Sequence, residues 1–267
     1  MSRLRSIALP LLFGLLLLGS WYAARPITGF TRFALPYPHE VALAMRAHWR
    51  ELMPAALRTL HTAGTGFAGA LALGMALAVL MTSRPTLRRM IYPWVLVLQM
   101  MPLVVLIPLI VLWMDSFRAV LFIAFLIAFF PITASAVQGL RSADPAALEL
   151  FHLHRASWWQ ELRHLRLPTA LPYILTGAQI SASLAIVGAL TGEMFAGQVA
   201  DGRGGLGYWI ILYRAEGDTA AMLGAGMSAC AMGFAFVGVV QLLRRRLLSR
   251  WHESFSPRQE QLRRLRS

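Results

Sequence analysis

Glu193, in Thr191-Gly192-Glu193-Met194-Phe195, is the one acid that falls inside a long apolar run. An ionisable group within a hydrocarbon-length segment is expensive and marks function by default. Two roles fit it. The default is a hydrogen bond that packs or hinges helices, and the alternative is a lining position on a solute pathway. A proton relay needs several such groups, and only His61, near the end of another apolar run, joins it. The histidines make no metal constellation. His152 and His154 are two apart and lie on different helix faces, and His164 is ten further on, whereas a helical pair needs a spacing of three or four. No GxSxG or HExxH pattern is present. All 25 basic residues are arginine. Without lysine there is no GxxxxGK[ST] nucleotide loop and no Schiff base, so any ATP that drives this protein binds another chain. Cys230 is the one cysteine, which excludes an internal disulfide, and it reads as a small packing residue.

The elements that position these groups are membrane spans. Of 267 residues, 57% are hydrophobic and 14% charged, with mean hydropathy +0.58. A span needs about 20 mostly apolar residues. Six runs qualify: 7–24, 60–81, 91–113, 119–139, 169–196 and 220–243. The fifth is long enough to tilt. The first carries Arg3 and Arg5 ahead of a leucine-rich run, as a signal peptide does. Trp21 and Tyr22 spoil a small-residue cleavage site, so it reads as an uncleaved anchor. The expected class is an all-α, polytopic protein of six transmembrane helices. Its parts are an anchor and external segment (1–57), a membrane core (58–243) with a long loop at 141–168, and a basic tail (244–267).

Arginine placement sets the orientation. With both termini in the cytoplasm, seventeen arginines face inward and seven outward, with Arg58 at a boundary. Topology and contact with anionic lipid account for the net charge of +13. The arginines are scattered through short loops and one tail, which argues against a nucleic-acid partner. Gly188, Gly192 and Ala196 form a small-xxx-small ladder, Gly64, Gly66, Gly69 and Gly74 dot the second run, and Gly224 and Gly226 open the sixth. Such positions let helices approach closely.

The 141–168 loop carries two helix starts. Asp144 caps a helix with Pro145 at its first position, and Ser157-Trp158-Trp159-Gln160 reads as a capping box. The expectation is one short helix over 145–154, a second over 158–166, and Pro168 opening the fifth span. Ala147, Phe151 and His154 recur at i, i+4 and i+7, flanked by Leu150. A stripe of this kind must dock on the bundle, on lipid or in a partner's groove.

The loop resembles the EAA loop of permease subunits from binding-protein-dependent ABC importers, with Glu149, Leu150 and Phe151 at the E-A-A positions and Leu165, Leu167 and Pro168 at the far end. Ala156-Ser157, Trp159-Gln160 and Pro168 to Gly177 are similar to the nitrate/sulfonate/taurine branch. So are Leu35-Pro36-Tyr37-Pro38, Gln99-Met100-Met101-Pro102 with Pro108, Phe129-Phe130-Pro131-Ile132, Gly204-Gly205-Leu206-Gly207-Tyr208 and Arg250-Trp251-His252. The likeness covers roughly residues 33 to 255.

The resemblance implies a bacterial inner-membrane permease with no catalysis and no cofactor of its own, ATP and magnesium being held by a partner ATPase. It implies a pore made by two permeases, a homodimer, fed by a solute-binding protein docking near Gly205, Leu206, Gly207 and Tyr208. It implies ATPase coupling through Asp144, Ala147, Glu149, Leu150, Phe151, Arg155, Trp159 and Pro168. Pathway candidates are Glu193, Gln99, Met100 and Gln179. The branch's solutes include nitrate, sulfonates, taurine, bicarbonate and pyrimidine or thiamine precursors. Three departures stand out, the first being bulky Leu150 and Phe151 in place of the two small alanines. Arg155 takes the place of the family's glycine, which suits a left-handed turn, so the expectation is a shifted break or a different turn. No glycine occurs in Trp113-Met114-Asp115-Ser116. A secondary carrier or channel is the alternative, and it calls for internal repeats and more buried charge than this chain has.

Overall fold

A computed structural model describes residues 2–31, 33–196 and 204–249. All regular structure among them is helical. The order is α1 (Ser2–Thr28), α2 (Pro38–Ala47), α3 (Trp49–Ser83), α4 (Pro85–Met100), α5 (Leu103–Trp113), α6 (Ser116–Leu140), α7 (Pro145–Leu153) and α8 (Trp158–Glu161), then a π-helical turn (Leu162–Arg166), α9 (Leu167–Ala196), α10 (Leu206–Glu216) and α11 (Thr219–Ser249). Five stretches are long and apolar enough to cross a membrane, and α4 with α5 makes a sixth if the pair counts as one span. The residues matched at 250–252, and Arg203, lie outside the described residues.

The third run is not one straight span. α4 and α5 meet at 94° across Met101 and Pro102. Met101 is extended (φ −65°, ψ 131°), as a residue before proline prefers, and Pro102 has no N–H to continue the ladder. Two further helices, α2 and α10, occupy the segments read as external. Glu40 starts α2 by accepting the Tyr37 backbone N–H at 2.9 Å.

The core is α6 held between α3 and α9, its two most extensive partners. The spacing is set by small residues. A Cβ on Gly66 of α3 would lie 2.9 Å from Ala124 Cβ, and one on Gly188 of α9 would lie 2.8 Å from Ala124 Cα. Ala124 is therefore clamped from both sides, with Ala63, Ala70, Ala128, Ala185 and Ala189 fully buried around it. Lipid chains are as apolar as leucine, so close van der Waals contact is what holds such helices together. Gly64 and Gly226 face open space and take no part. Cys230 is exposed on α11 rather than packed, because it sits next to the buried Ala229 and its side chain points away from that face.

α1 stands outside this core and is joined at one end. Trp21 donates to the Pro36 carbonyl at 3.2 Å. Tyr22, Tyr37 and His39 stack with centroids 5.5 to 5.9 Å apart. Arg25 lies over the Tyr37 ring at 4.5 Å and 3.9 Å from Glu40.

Replacing Gly188 by Leu forces α9 away from Ala124, and the expected cost is about 1–3 kcal/mol or more. Gly64→Ala, with nothing near its Cβ, is expected to be neutral or to stabilise by up to about 1 kcal/mol. Thermal unfolding of the detergent-purified chain separates the two.

Candidate functional site

Two polar centres lie at opposite ends of α9. At its last turns, Glu193 is buried. Its Oε2 accepts the Thr59 hydroxyl of α3 at 2.9 Å and the Gly207 backbone N–H at 2.9 Å. The same Thr59 oxygen accepts the Leu206 N–H at 2.9 Å. Two of the orphan donors at the start of α10 are thus met by groups on α3 and α9, and a carboxylate suits that helix N-terminus. The fit leaves no room for side chains. A Cβ on Gly207 would meet the Leu190 carbonyl at 2.3 Å, and one on Gly205 would overlap the Glu193 carboxylate. Glycine here is demanded by contact.

A cavity of about 480 Å³ opens beside this latch. Glu193 and Gly205 border it, with Arg58, His61, Phe117 and Val120. The His61 and Phe117 rings lie nearly parallel, 24° apart in plane and 6.4 Å between centroids. Of the other pathway candidates, Gln99 and Met100 are exposed beside the α4–α5 bend. Gln179 is held by Arg244 of α11 at 2.8 Å. None of the three borders the cavity around Glu193, so the four do not form one site in a single chain. Among the docking candidates, Gly205, Leu206 and Gly207 are buried over the latch, and only Tyr208 is half-exposed. Gly205 and Gly207 pack directly against Glu193.

The second centre is the 141–168 loop. Asp144 caps α7 through the Ala146 N–H at 3.1 Å, and the Ser157–Gln160 capping box is complete. The break between α7 and α8 stands where the glycine would be. Arg155 has φ +51°, alone among the described non-glycine residues. Its N–H bonds the His152 carbonyl and the Ala156 N–H bonds the Phe151 carbonyl, both at 3.0 Å. This is the Schellman pattern. The turn neither shifts nor changes type, and the arginine absorbs the left-handed strain. On α7, Ala147 and Phe151 turn partly inward, while Glu149, Leu150 and Leu153 are exposed, Leu153 at 80%. Trp159 is also exposed, at 69%.

Pro168 does not open a new helix. From Trp158 the chain runs helically to Ala196 through the π turn, closed by Leu167 N–H to the Leu162 carbonyl. The wider turn accommodates a proline that lacks a donor. It also places residues five apart on one side. That geometry brings Arg166 onto Glu161, a buried carboxylate. Arg166 Nη1 donates to the Leu140 carbonyl at the end of α6 at 3.0 Å, and His152 of α7 lies 3.7 Å from the other Glu161 oxygen. A straight α-helical reading puts Glu161 and Arg166 on different faces, so spacing alone misses this anchor. Thr59 is missed too, because nothing local marks one threonine among several.

Residues 70–251 match the family described as binding-protein-dependent transport system inner membrane component. The riboflavin transport system permease protein of Chloroflexus aurantiacus is 32% identical over 246 residues, covering 90% of this chain and 88% of that one. The formylaminopyrimidine transport permease protein of Halalkalibacterium halodurans is 32% identical over 205 residues, covering 75% and 78%. In fold, the chain is similar to one from the MetNI methionine ABC transporter in inward-facing conformations. The TM-score is 0.61 at 20% identity, over 77% of this chain and 98% of that one.

Thr59→Val strips one bond from a buried carboxylate and orphans the Leu206 N–H. The expected cost is about 2–4 kcal/mol, with Thr59→Ser near neutral, read by thermal unfolding. Arg155→Gly relieves the left-handed strain and is expected to stabilise the α7–α8 turn by about 0.5–1 kcal/mol. Slower hydrogen exchange at its amides checks this.

Proposed function

The chain belongs to the binding-protein-dependent inner-membrane transport components, and on that premise we propose how its parts divide the work of import. It is a multi-pass permease of an ABC importer for a small solute. Its termini lie in the cytoplasm, a reading supported by the arginine bias. α7 then faces the cytoplasm and docks on a separate ATPase subunit, which binds and hydrolyses ATP. The absence of lysine supports that division. Two copies of the chain enclose the pathway, and the solute-binding protein docks on the opposite face around Tyr208. Glu193 lines the pathway at its outer end. The solute is a small polar molecule of the kind the relatives' names record, such as riboflavin or formylaminopyrimidine. The sulfonate-like anions of the resembled branch are the other class.

The observation that carries this reading is the chain of contacts leading out of α7. His152 meets Glu161, Glu161 holds Arg166, and Arg166 holds the end of α6. A displacement of α7 is therefore delivered to α6 and to the foot of α9. α9 is 30 residues long, a rod of about 45 Å. Its far end carries Glu193. Tilting the rod draws the carboxylate away from Thr59 and Gly207 and releases the start of α10. One lever thus joins the ATPase face to the outer latch.

Glu149→Arg and Leu153→Glu change exposed side chains on α7. Both variants are expected to insert normally and to lose about tenfold or more of their association with the ATPase subunit, as loss of a contact of about 1.4 kcal/mol would produce. Co-purification in mild detergent measures it. Full association together with normal transport in both variants overturns docking through α7.

A further inference from the structure

Resting on the transport reading above, we infer that the corner between α10 and α11 seats the side chain of an arginine or lysine carried by the solute-binding protein. The corner gathers acceptors without a cation to match them. Glu216 and Asp218 border a cavity of about 330 Å³, with Phe33 and Pro36 among its walls. Glu51, in the first turn of α3, is a third carboxylate, and all three act on Tyr213. The whole chain carries a net charge of +13. Yet Arg46, Arg50 and Arg214, on α2, α3 and α10, form no ion pair with a described acid. Among the described residues, neither Glu51 nor Glu216 has an ion-pair partner, and His48 reaches Asp218 only at 4.0 Å.

Two buried polar atoms here also lack partners. Tyr213 is 2% exposed, its ring in contact with those of His48 and Trp209, and its hydroxyl makes no hydrogen bond. Glu51 Oε2 is likewise buried and unpaired. Burial, and then the charges of Glu51, Glu216 and Asp218, push the Tyr213 hydroxyl up to about 12. A buried oxygen left unpaired is unfavourable, and a donor arriving from outside removes that cost. α10 ends at this corner, at Gly217 in the left-handed conformation, and the negative end of its dipole adds to the field. Such a set calls for a cation with several N–H donors. A bare metal ion fits poorly, because no three acid or histidine side chains among the described residues are grouped to hold one. A guanidinium offers five donors and an ammonium three, and their hydrocarbon stems suit Phe33 and Pro36. Tyr208, the half-exposed docking candidate, lies in the first turn of the helix that Glu216 closes. A negative seat on that helix orients an incoming partner that presents a positive side chain.

The test uses the full chain with its ATPase subunit in lipid nanodiscs. The probe is n-butylguanidinium, the head and stem of an arginine, and tetramethylammonium, a cation without N–H donors, is the control. Saturation-transfer NMR reads their binding. Surface plasmon resonance reads docking of the solute-binding protein, taken as the one whose addition raises ATP hydrolysis by the complex. Glu216 and Asp218 are exposed, and Asp218→Asn keeps a cap on α11. Butylguanidinium is expected to bind and tetramethylammonium not. Glu216→Gln and Asp218→Asn are each expected to weaken probe binding and docking about tenfold, with the unfolding temperature unchanged. Tyr213→Phe, which removes an unpaired hydroxyl, is expected to weaken docking about threefold without lowering the unfolding temperature. A lowered unfolding temperature with full docking assigns that hydroxyl to internal packing and overturns its part in the seat. Docking unchanged in all three variants overturns the inference, and if the probe still binds, a lipid amine or a free cation is the occupant. A complex whose ATP hydrolysis rises on docking but ignores the variants loses the corner and keeps the transport reading. A chain that recruits no ATPase and docks no binding protein overturns both.

Discussion

Close backbone approach on both sides of α6 is the constraint on which the rest of this structure depends. Ala124 is pressed by the glycine positions of α3 and α9 at once. No apolar driving force separates helix from lipid inside a bilayer, so dispersion contact at this distance must supply the cohesion. The same closeness makes the three helices a stiff unit. Stiffness lets a single helix carry a displacement from one end of the molecule to the other instead of dissipating it in loose packing.

The two polar centres use that stiffness. Each is built around one buried glutamate, and the two stand at opposite ends of the continuous helical stretch Trp158–Ala196. Glu161 is matched by an arginine and anchors the loop to α6. Glu193 is matched by neutral donors, Thr59 and the first amides of α10, and anchors the opposite loop. The difference in partner chemistry fits their duties. A charge pair with further hydrogen bonds is costly to break and suits a permanent joint. A carboxylate held by a neutral hydroxyl and a neutral amide has no partner charge and is the easier of the two contacts to part. The cavity lies beside the Glu193 contacts and not beside the Glu161 pair.

Local signals in the sequence were legible wherever a feature depends on neighbours along the chain. The Asp144 cap, the Ser157–Gln160 box and five of the apolar runs appear as read. Legibility failed where one residue must answer two demands. Arg155 has a side chain that disfavours a left-handed turn, yet the bonds closing α7 and the need to reverse direction toward α8 hold it there. At Pro168 the local rule for proline predicts a helix start, and the π turn answers the missing donor inside a continuous helix. At Met101–Pro102 hydropathy counts an unbroken run, while backbone sterics break it.

Composition and arginine placement by themselves determined the class of this protein: an all-helical membrane chain with no nucleotide loop and a loop shaped to dock on something else. Those properties are sums over many residues, or patterns within one turn, and need no partner to be read. The tertiary structure alone decided that Glu193 meets Thr59, 134 positions away, that the Gly205–Gly207 segment is buried over it, and that the other pathway candidates lie elsewhere. Each is a contact between distant segments, fixed by which helix faces come within reach. Periodicity places a residue on a face of its own helix and does not say which helix that face will meet.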